Sequence, residues 1–109
     1  MNRLLVLLFI SLSAVSFAHA QPTEDDYYRC RDKMNEIAAQ HVLKTVSNWH
    51  DHCQASGGID SVIGDVVVLD SYVQCHFAGS RTLRVSAKIR IPWWSRMYEC
   101  KVLSFEPLN

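Results

Sequence analysis

Residues 83–91 read Leu-Arg-Val-Ser-Ala-Lys-Ile-Arg-Ile, an uninterrupted alternation of apolar and polar side chains. Successive side chains of a β-strand point to opposite faces, so this period of two predicts a strand with one buried and one solvated face. Two similar runs, residues 66–77 and 97–105, lie on either side of it. The connections at 78–80 and 92–95 are short, and short connections join antiparallel neighbours. The sequence therefore predicts a three-stranded antiparallel meander.

The segment before these strands has the period of a helix. Thr23 precedes three acidic residues, which is typical of a helix start because such groups satisfy free N–H donors and oppose the positive end of the helix dipole. Apolar residues then recur every three or four positions until Gly57-Gly58. We predict one long N-terminal helix, residues 24–55, packed on one face of the meander. The expected fold class is α+β.

Residues 1–20 are typical of a signal peptide. A short basic start precedes an apolar run at 4–10, and residues 18–20, Ala-His-Ala, fit the small-x-small pattern that signal peptidase cleaves. The apolar run is too short for a spanning helix, which needs about 20 apolar residues, so we expect no stable membrane insertion. The mature chain, residues 21–109, is expected to form one secreted domain.

The four cysteines, Cys30, Cys53, Cys75 and Cys100, are nearly evenly spaced. An even number in a short secreted chain indicates disulfide bonds, here two, whereas zinc sites favour close pairs such as C-x-x-C. A continuous helix would place Cys30 and Cys53 about 34 Å apart, which excludes a bond between them. The strand directions then favour Cys30–Cys75 with Cys53–Cys100.

The charge balance and the motifs exclude several function classes. The chain has 11 Lys and Arg against 11 Asp and Glu, which removes the electrostatic basis for expecting nucleic acid. His50 and His52, in the polar cluster His50-Asp51-His52-Cys53, would point in different directions on a helix and could not share a metal. No nucleophile with a neighbouring base can be assembled. We predict a protein that is not an enzyme and has no metal or cofactor.

Pro92-Trp93-Trp94-Ser95-Arg96 is the most unusual segment. Adjacent side chains at a strand end cannot both enter one core, so at least one indole should be exposed. Because Trp and Arg are enriched at binding hot spots, we predict Pro92, Trp93, Trp94 and Arg96 as binding residues. The alternative is that one indole folds over the end of the sheet and the other lies under an Arg stem.

With this Pro92-Trp93 hairpin, a signal peptide, a long helix, a meander and two disulfides, the chain resembles a reduced cystatin. In that family the Pro-Trp hairpin is a wedge that contacts proteases, so the resemblance implies a contact role for Pro92 and Trp93. The family's Gln-x-Val-x-Gly loop is missing here. The resemblance therefore concerns shape more than protease inhibition.

These features favour a small secreted binding protein that acts outside the producing cell. It would be toxin-like, an effector or an inhibitor, and it would use the aromatic hairpin to contact a protein partner. The alternative is a bacterial periplasmic inhibitor or immunity protein. A small secreted hydrolase fits the sequence least.

Overall fold

The computed structural model describes residues 21–46 and 48–108, so the predicted signal peptide lies outside the described residues. Helix α1 (Glu24–Leu43) packs on one face of a five-stranded antiparallel sheet, and the α+β prediction is confirmed. Within the described ranges, no helix is both long and apolar enough to cross a membrane. The strands are β1 (Cys53–Ser56), β2 (Ile59–Ile63), β3 (Val66–Cys75), β4 (Gly79–Arg90) and β5 (Glu99–Pro107).

Helix α1 begins as the sequence predicts. The Thr23 hydroxyl accepts a hydrogen bond from the backbone N–H of Asp26, and the Asp26 carboxylate accepts one from the backbone N–H of Thr23 at 2.8 Å. This capping box satisfies two N–H donors that would otherwise have no partner in the helix.

The predicted end of the helix at residue 55 is wrong. The Thr45 hydroxyl and the Thr45 backbone N–H both donate to the carbonyl of Val42, at 2.7 and 2.9 Å. These local bonds tighten the last turn, and α1 ends at Leu43. The apolar spacing beyond residue 45 belongs to a turn and to strand β1, and it resembles a helical period by coincidence.

The predicted meander is present as β3, β4 and β5, but the sheet has two further strands. Both β1 and β2 pair with the same edge of β3, where Cys53 opposes Cys75 and Ile63 opposes Val66. These added strands have only four and five residues, and the Gly57-Gly58 pair between them resembles a loop. The prediction of three strands is therefore corrected to five.

The core lies between one stripe of α1 and the inner face of the sheet. Alternate residues of β3 and β4 face the helix, as the period of two predicts. The helix contributes residues four positions apart, which fall on one face. The core includes Cys30, Met34, Ala38 and Val42 from the helix and Val67, Leu69, Val73, Leu83, Val85, Ala87 and Ile89 from the sheet.

A buried polar network crosses this core. The Ser71 hydroxyl donates to the side-chain oxygen of Asn35 at 2.7 Å, and the Asn35 amide donates to the carbonyl of Gly57 at 3.0 Å. Both side chains are buried, and their mutual hydrogen bonding offsets the cost of removing them from water. The network fixes the β1–β2 connection against the helix.

The disulfide pairing predicted from strand direction is wrong. The structure joins Cys30 to Cys100 and Cys53 to Cys75, with Cα atoms 5.3 and 4.0 Å apart. The loop after α1 returns the chain to the edge of β3, so Cys53 becomes the cross-strand neighbour of Cys75. The helix start then lies beside the start of β5. Among the described residues no cysteine is free, as is typical of proteins in oxidising compartments.

Gly57 provides a direct test of how closely the β1–β2 connection packs against the edge of β3. A Cβ atom at this position would lie 2.2 Å from the carbonyl oxygen of Asp70, whereas one at Gly58 would meet nothing within 4 Å. We expect Gly57→Ala to lower the free energy of unfolding by about 2–3 kcal/mol, because backbone must move to relieve the overlap. Gly58→Ala should change it by less than about 0.5 kcal/mol. Urea denaturation of both variants checks this, and equal effects would contradict the packing described.

Candidate functional site

Residues 91–97, within the connection between β4 and β5, form a closed turn that we call the aromatic tip. The backbone N–H of Ser95 donates to the carbonyl of Pro92 at 3.0 Å, so Trp93 and Trp94 occupy the two central positions of the turn. Trp93 is 92 % exposed and Trp94 is 64 % exposed. The exposure predicted for at least one indole is therefore observed for both.

Several contacts fix the base of the aromatic tip, although the indoles themselves are exposed. Pro92 is buried, and the Ser95 hydroxyl accepts a hydrogen bond from the backbone N–H of Met97 at 3.0 Å. Below the tip, Cys100 is bonded to Cys30 of α1, and its carbonyl accepts a hydrogen bond from the Lys33 ammonium group. These contacts fix the backbone of the turn that bears the two indoles.

The two indoles form an apolar surface of their own. Their ring centres are 5.7 Å apart and their planes are nearly perpendicular, at 89°. This is the edge-to-face arrangement that aromatic rings favour. Ile91 and Met97 extend the apolar surface at the two ends of the turn, and both are exposed.

A cleft of about 350 Å³ separates the aromatic tip from the start of α1. Trp94 and Tyr98 line its apolar side, while Arg29 and Lys33 line the helix side. Burial and the nearby charge of Asp26 raise the pKa of the Tyr98 hydroxyl, so this group stays neutral at physiological pH. The cleft is thus a second, more polar surface next to the aromatic tip.

Two arginines next to the indoles lie outside the ion pairs of the sheet. Arg90 ends β4 and Arg96 lies within the tip, and neither belongs to an ion pair among the described residues. Farther along β4, by contrast, Arg84 pairs with Asp70 at 2.9 Å and Lys88 pairs with Asp65 at 3.4 Å. The aromatic tip therefore carries two cationic side chains outside these ion pairs.

A second exposed cluster lies at the opposite end of the sheet, where residues 50–53 of the polar cluster meet residues that the sequence did not place beside them. It consists of Trp49, His50, His52, His76 and Phe77, and we call it the far end. Trp49 is 84 % exposed, and its ring lies 3.5 Å from that of His50. The prediction that residues 50–53 lie in the helix is wrong, because the helix ends at Leu43.

Asp51 organises the backbone of the far end. Its buried carboxylate accepts hydrogen bonds from the backbone N–H groups of His52, Phe77 and Ala78 at 2.9 to 3.0 Å. Burial opposes ionisation, but these hydrogen bonds outweigh it and hold the pKa of Asp51 below its usual value. The polar cluster in the sequence includes Asp51, but its bonds to Phe77 and Ala78 were not predictable because these partners lie 26 and 27 positions away.

The four residues predicted as binding residues thus share one turn. Trp93, Trp94 and Arg96 present their side chains to solvent, whereas Pro92 is buried and anchors them. No protein-family model, curated protein or solved structure matches the chain.

The depressed pKa of Asp51 predicts an acid-dependent loss of stability. A carboxyl whose pKa is lower in the folded than in the unfolded state stabilises the fold above the unfolded pKa, near 4, and loses that effect as pH falls through the folded pKa. Asp51→Asn should therefore lower the melting temperature at pH 7 and flatten its fall below pH about 4. Asp60→Asn, an exposed control on β2, should leave both unchanged. Thermal melts between pH 2 and 7 decide it, and an unaltered acid profile in Asp51→Asn would contradict the assignment.

Proposed function

We propose that the protein is a secreted binding protein that inserts its aromatic tip into an apolar pocket of a protein partner. The observation that carries this proposal is the near-complete exposure of Trp93 beside a largely exposed Trp94, on a turn held by a hydrogen bond and a buried proline. An exposed indole contributes little to folding, because apolar surface stabilises only when it leaves water.

The energetic argument concerns what the indoles gain on contact. A Trp side chain buries roughly 150–250 Å² in an interface, which corresponds to about 4–6 kcal/mol at 25 cal/mol per Å² before the costs of association. The closed turn lowers one of those costs, since fewer backbone conformations are lost on binding. Two indoles on one braced turn therefore form a plausible hot spot, with the exposed Met97 at its edge.

The charge at the tip indicates the chemistry of the partner. Arg90, which lies opposite Glu99 in the strand register, and Arg96 lie on either side of the indoles, and neither belongs to an ion pair among the described residues. A pocket with Asp or Glu at its rim would gain electrostatic attraction during encounter and would be selected over a basic surface. We therefore propose an apolar pocket with an acidic rim.

The two disulfides support action in an oxidising compartment, either the extracellular space or, as the alternative, the bacterial periplasm. In both settings a compact protein that presents a rigid aromatic turn is suited to act as an inhibitor, an effector or an immunity protein. The proposal assigns it binding rather than catalysis.

The partner can be captured directly through the tip. A photo-crosslinking amino acid at position 93 should join the secreted protein to a single partner, and the same probe at position 49 serves as a control because Trp49 is similarly exposed at the far end. With the captured protein purified, Trp93→Ala should weaken binding by about 30-fold, or 2 kcal/mol, and leave the melting temperature unchanged. Trp49→Ala should change neither quantity.

Two outcomes would contradict the proposal. If Trp93→Ala lowers the melting temperature and leaves the affinity unaltered, the indole serves the fold. If position 93 captures no discrete protein and the chain instead binds anionic lipid vesicles through Trp93, the tip contacts a membrane surface and the protein-partner proposal fails.

A further inference from the structure

The far end brings together two histidines that are 24 positions apart in the chain. His52 directly precedes β1 and His76 directly follows β3, and the adjoining Cys53 and Cys75 are partners in the strand register. The backbone N–H of His76 donates to the carbonyl of His52 at 3.0 Å, which continues the pairing by one residue. The two imidazole rings are stacked, with centres 5.2 Å apart and planes within 14° of parallel.

This spacing matches two imidazoles that share one metal ion. An imidazole nitrogen lies about 1.1 Å from the ring centre and a Zn–N bond is about 2.1 Å long, so the ion lies about 3.2 Å from each ring centre. Two rings bound at a tetrahedral angle then have centres about 5.2 Å apart. The stacked rings must turn about their side-chain torsions before one nitrogen of each can point at a common ion.

The backbone that carries the rings is fixed before any ion binds. The Cys53–Cys75 disulfide joins strands β1 and β3 one residue from each histidine. Asp51 holds the other side, because its carboxylate binds the backbone N–H groups of both His52 and Phe77. Phe77 packs edge-on against the His76 ring, with centres 4.4 Å apart, and limits its rotation. Two ligands on a fixed backbone lose less entropy on binding than two ligands on a flexible one.

The chemistry of the ligands selects the ion. Paired imidazoles favour Zn²⁺, Ni²⁺ and Cu²⁺, whereas Ca²⁺ and Mg²⁺ require oxygen ligands. Among the described residues, no group of three His, Cys, Asp or Glu side chains is placed to hold a metal, so two histidines would supply all the protein ligands. Both histidines are exposed, which leaves the remaining coordination positions open to water or to a donor from another molecule.

We propose that His52 and His76 form a two-histidine site for a divalent transition-metal ion. The expectation that the protein has no metal site rested on placing residues 50–53 in a helix, where neighbouring histidines diverge. The structure replaces that helix with a strand pair, in which opposed side chains converge. This site is independent of the aromatic tip, because the length of β4, about 36 Å, separates the two ends of the sheet.

Zinc binding to the oxidised mature protein tests the proposal. Calorimetric titration with Zn²⁺, after removal of metal with a chelator, should saturate at one ion per chain. At a Zn²⁺ concentration tenfold above the dissociation constant, the melting temperature should rise by about 6 °C if the unfolded chain does not bind the ion. With Ni²⁺ as a paramagnetic probe, the imidazole resonances of His52 and His76 should broaden first.

Substitutions separate the pair from the other histidines. His52→Ala and His76→Ala should each weaken zinc binding at least tenfold while the metal-free melting temperature stays the same. His50→Ala and His41→Ala are the matched controls, and both should bind zinc like the unaltered protein. His76→Gln keeps a polar side chain against Phe77 and should lose zinc binding even if His76→Ala proves unstable.

Two results would overturn the proposal. One is an affinity for Zn²⁺ weaker than about 1 mM in the unaltered protein. The other is an equal loss of binding in His50→Ala and His76→Ala, which would show scattered surface coordination rather than a defined pair. Neither result bears on the aromatic tip, which contains no histidine.

Discussion

The bond between Cys30 and Cys100 is the constraint on which the rest of the structure depends. It closes a loop of 70 residues and joins the first turns of α1 to the start of β5, directly below the aromatic tip. In the chain-entropy view, closing a loop of this size stabilises the fold by about 4 kcal/mol. That is a large share of the stability of so small a domain. The same bond fixes the end of the sheet where the two indoles are exposed.

The opposite end of the molecule is held by a different set of interactions. There the short strands β1 and β2 are fixed against one edge of β3. The contacts that fix them are the Cys53–Cys75 disulfide, the hydrogen bonds of the Asp51 carboxylate and the close approach of Gly57 to Asp70. Each of these interactions acts over a few ångströms on backbone rather than on a large apolar surface. The two ends are thus rigid for separate reasons, and each presents exposed aromatic or imidazole rings on a fixed backbone.

The parts of the fold that follow from local chemistry were predictable. Alternating residues between 83 and 91 predict β4 and its buried face, and Thr23 with the acids after it predicts the first turn of α1. The end of α1 was not predictable, because a hydroxyl–carbonyl bond from Thr45 replaces the glycine or proline that usually marks a helix end. The short strands β1 and β2 form because they pair with the edge of β3, and the local sequence of residues 53–63 does not indicate this pairing.

Of the two candidate sites, one follows from local sequence and the other depends on how distant strands pair. The exposure of Trp93 follows from its place between two strands, so the sequence indicates the aromatic tip. The proximity of His52 and His76 depends on the strand register. It could not be predicted while residues 24–55 were assigned to one helix. The disulfide pairing failed for the same reason, since it depends on the direction in which the chain returns after Leu43.

Peptide mapping under non-reducing conditions tests the central claim most directly. This architecture requires one linked peptide pair that contains Cys30 and Cys100 and another that contains Cys53 and Cys75. Recovery of those two pairs from the oxidised protein would establish that the helix start lies beside β5 and that β1 lies on the edge of β3. Recovery of Cys30 linked to Cys75 and Cys53 linked to Cys100 would contradict the account, because the helix would then have to run in the opposite direction across the sheet.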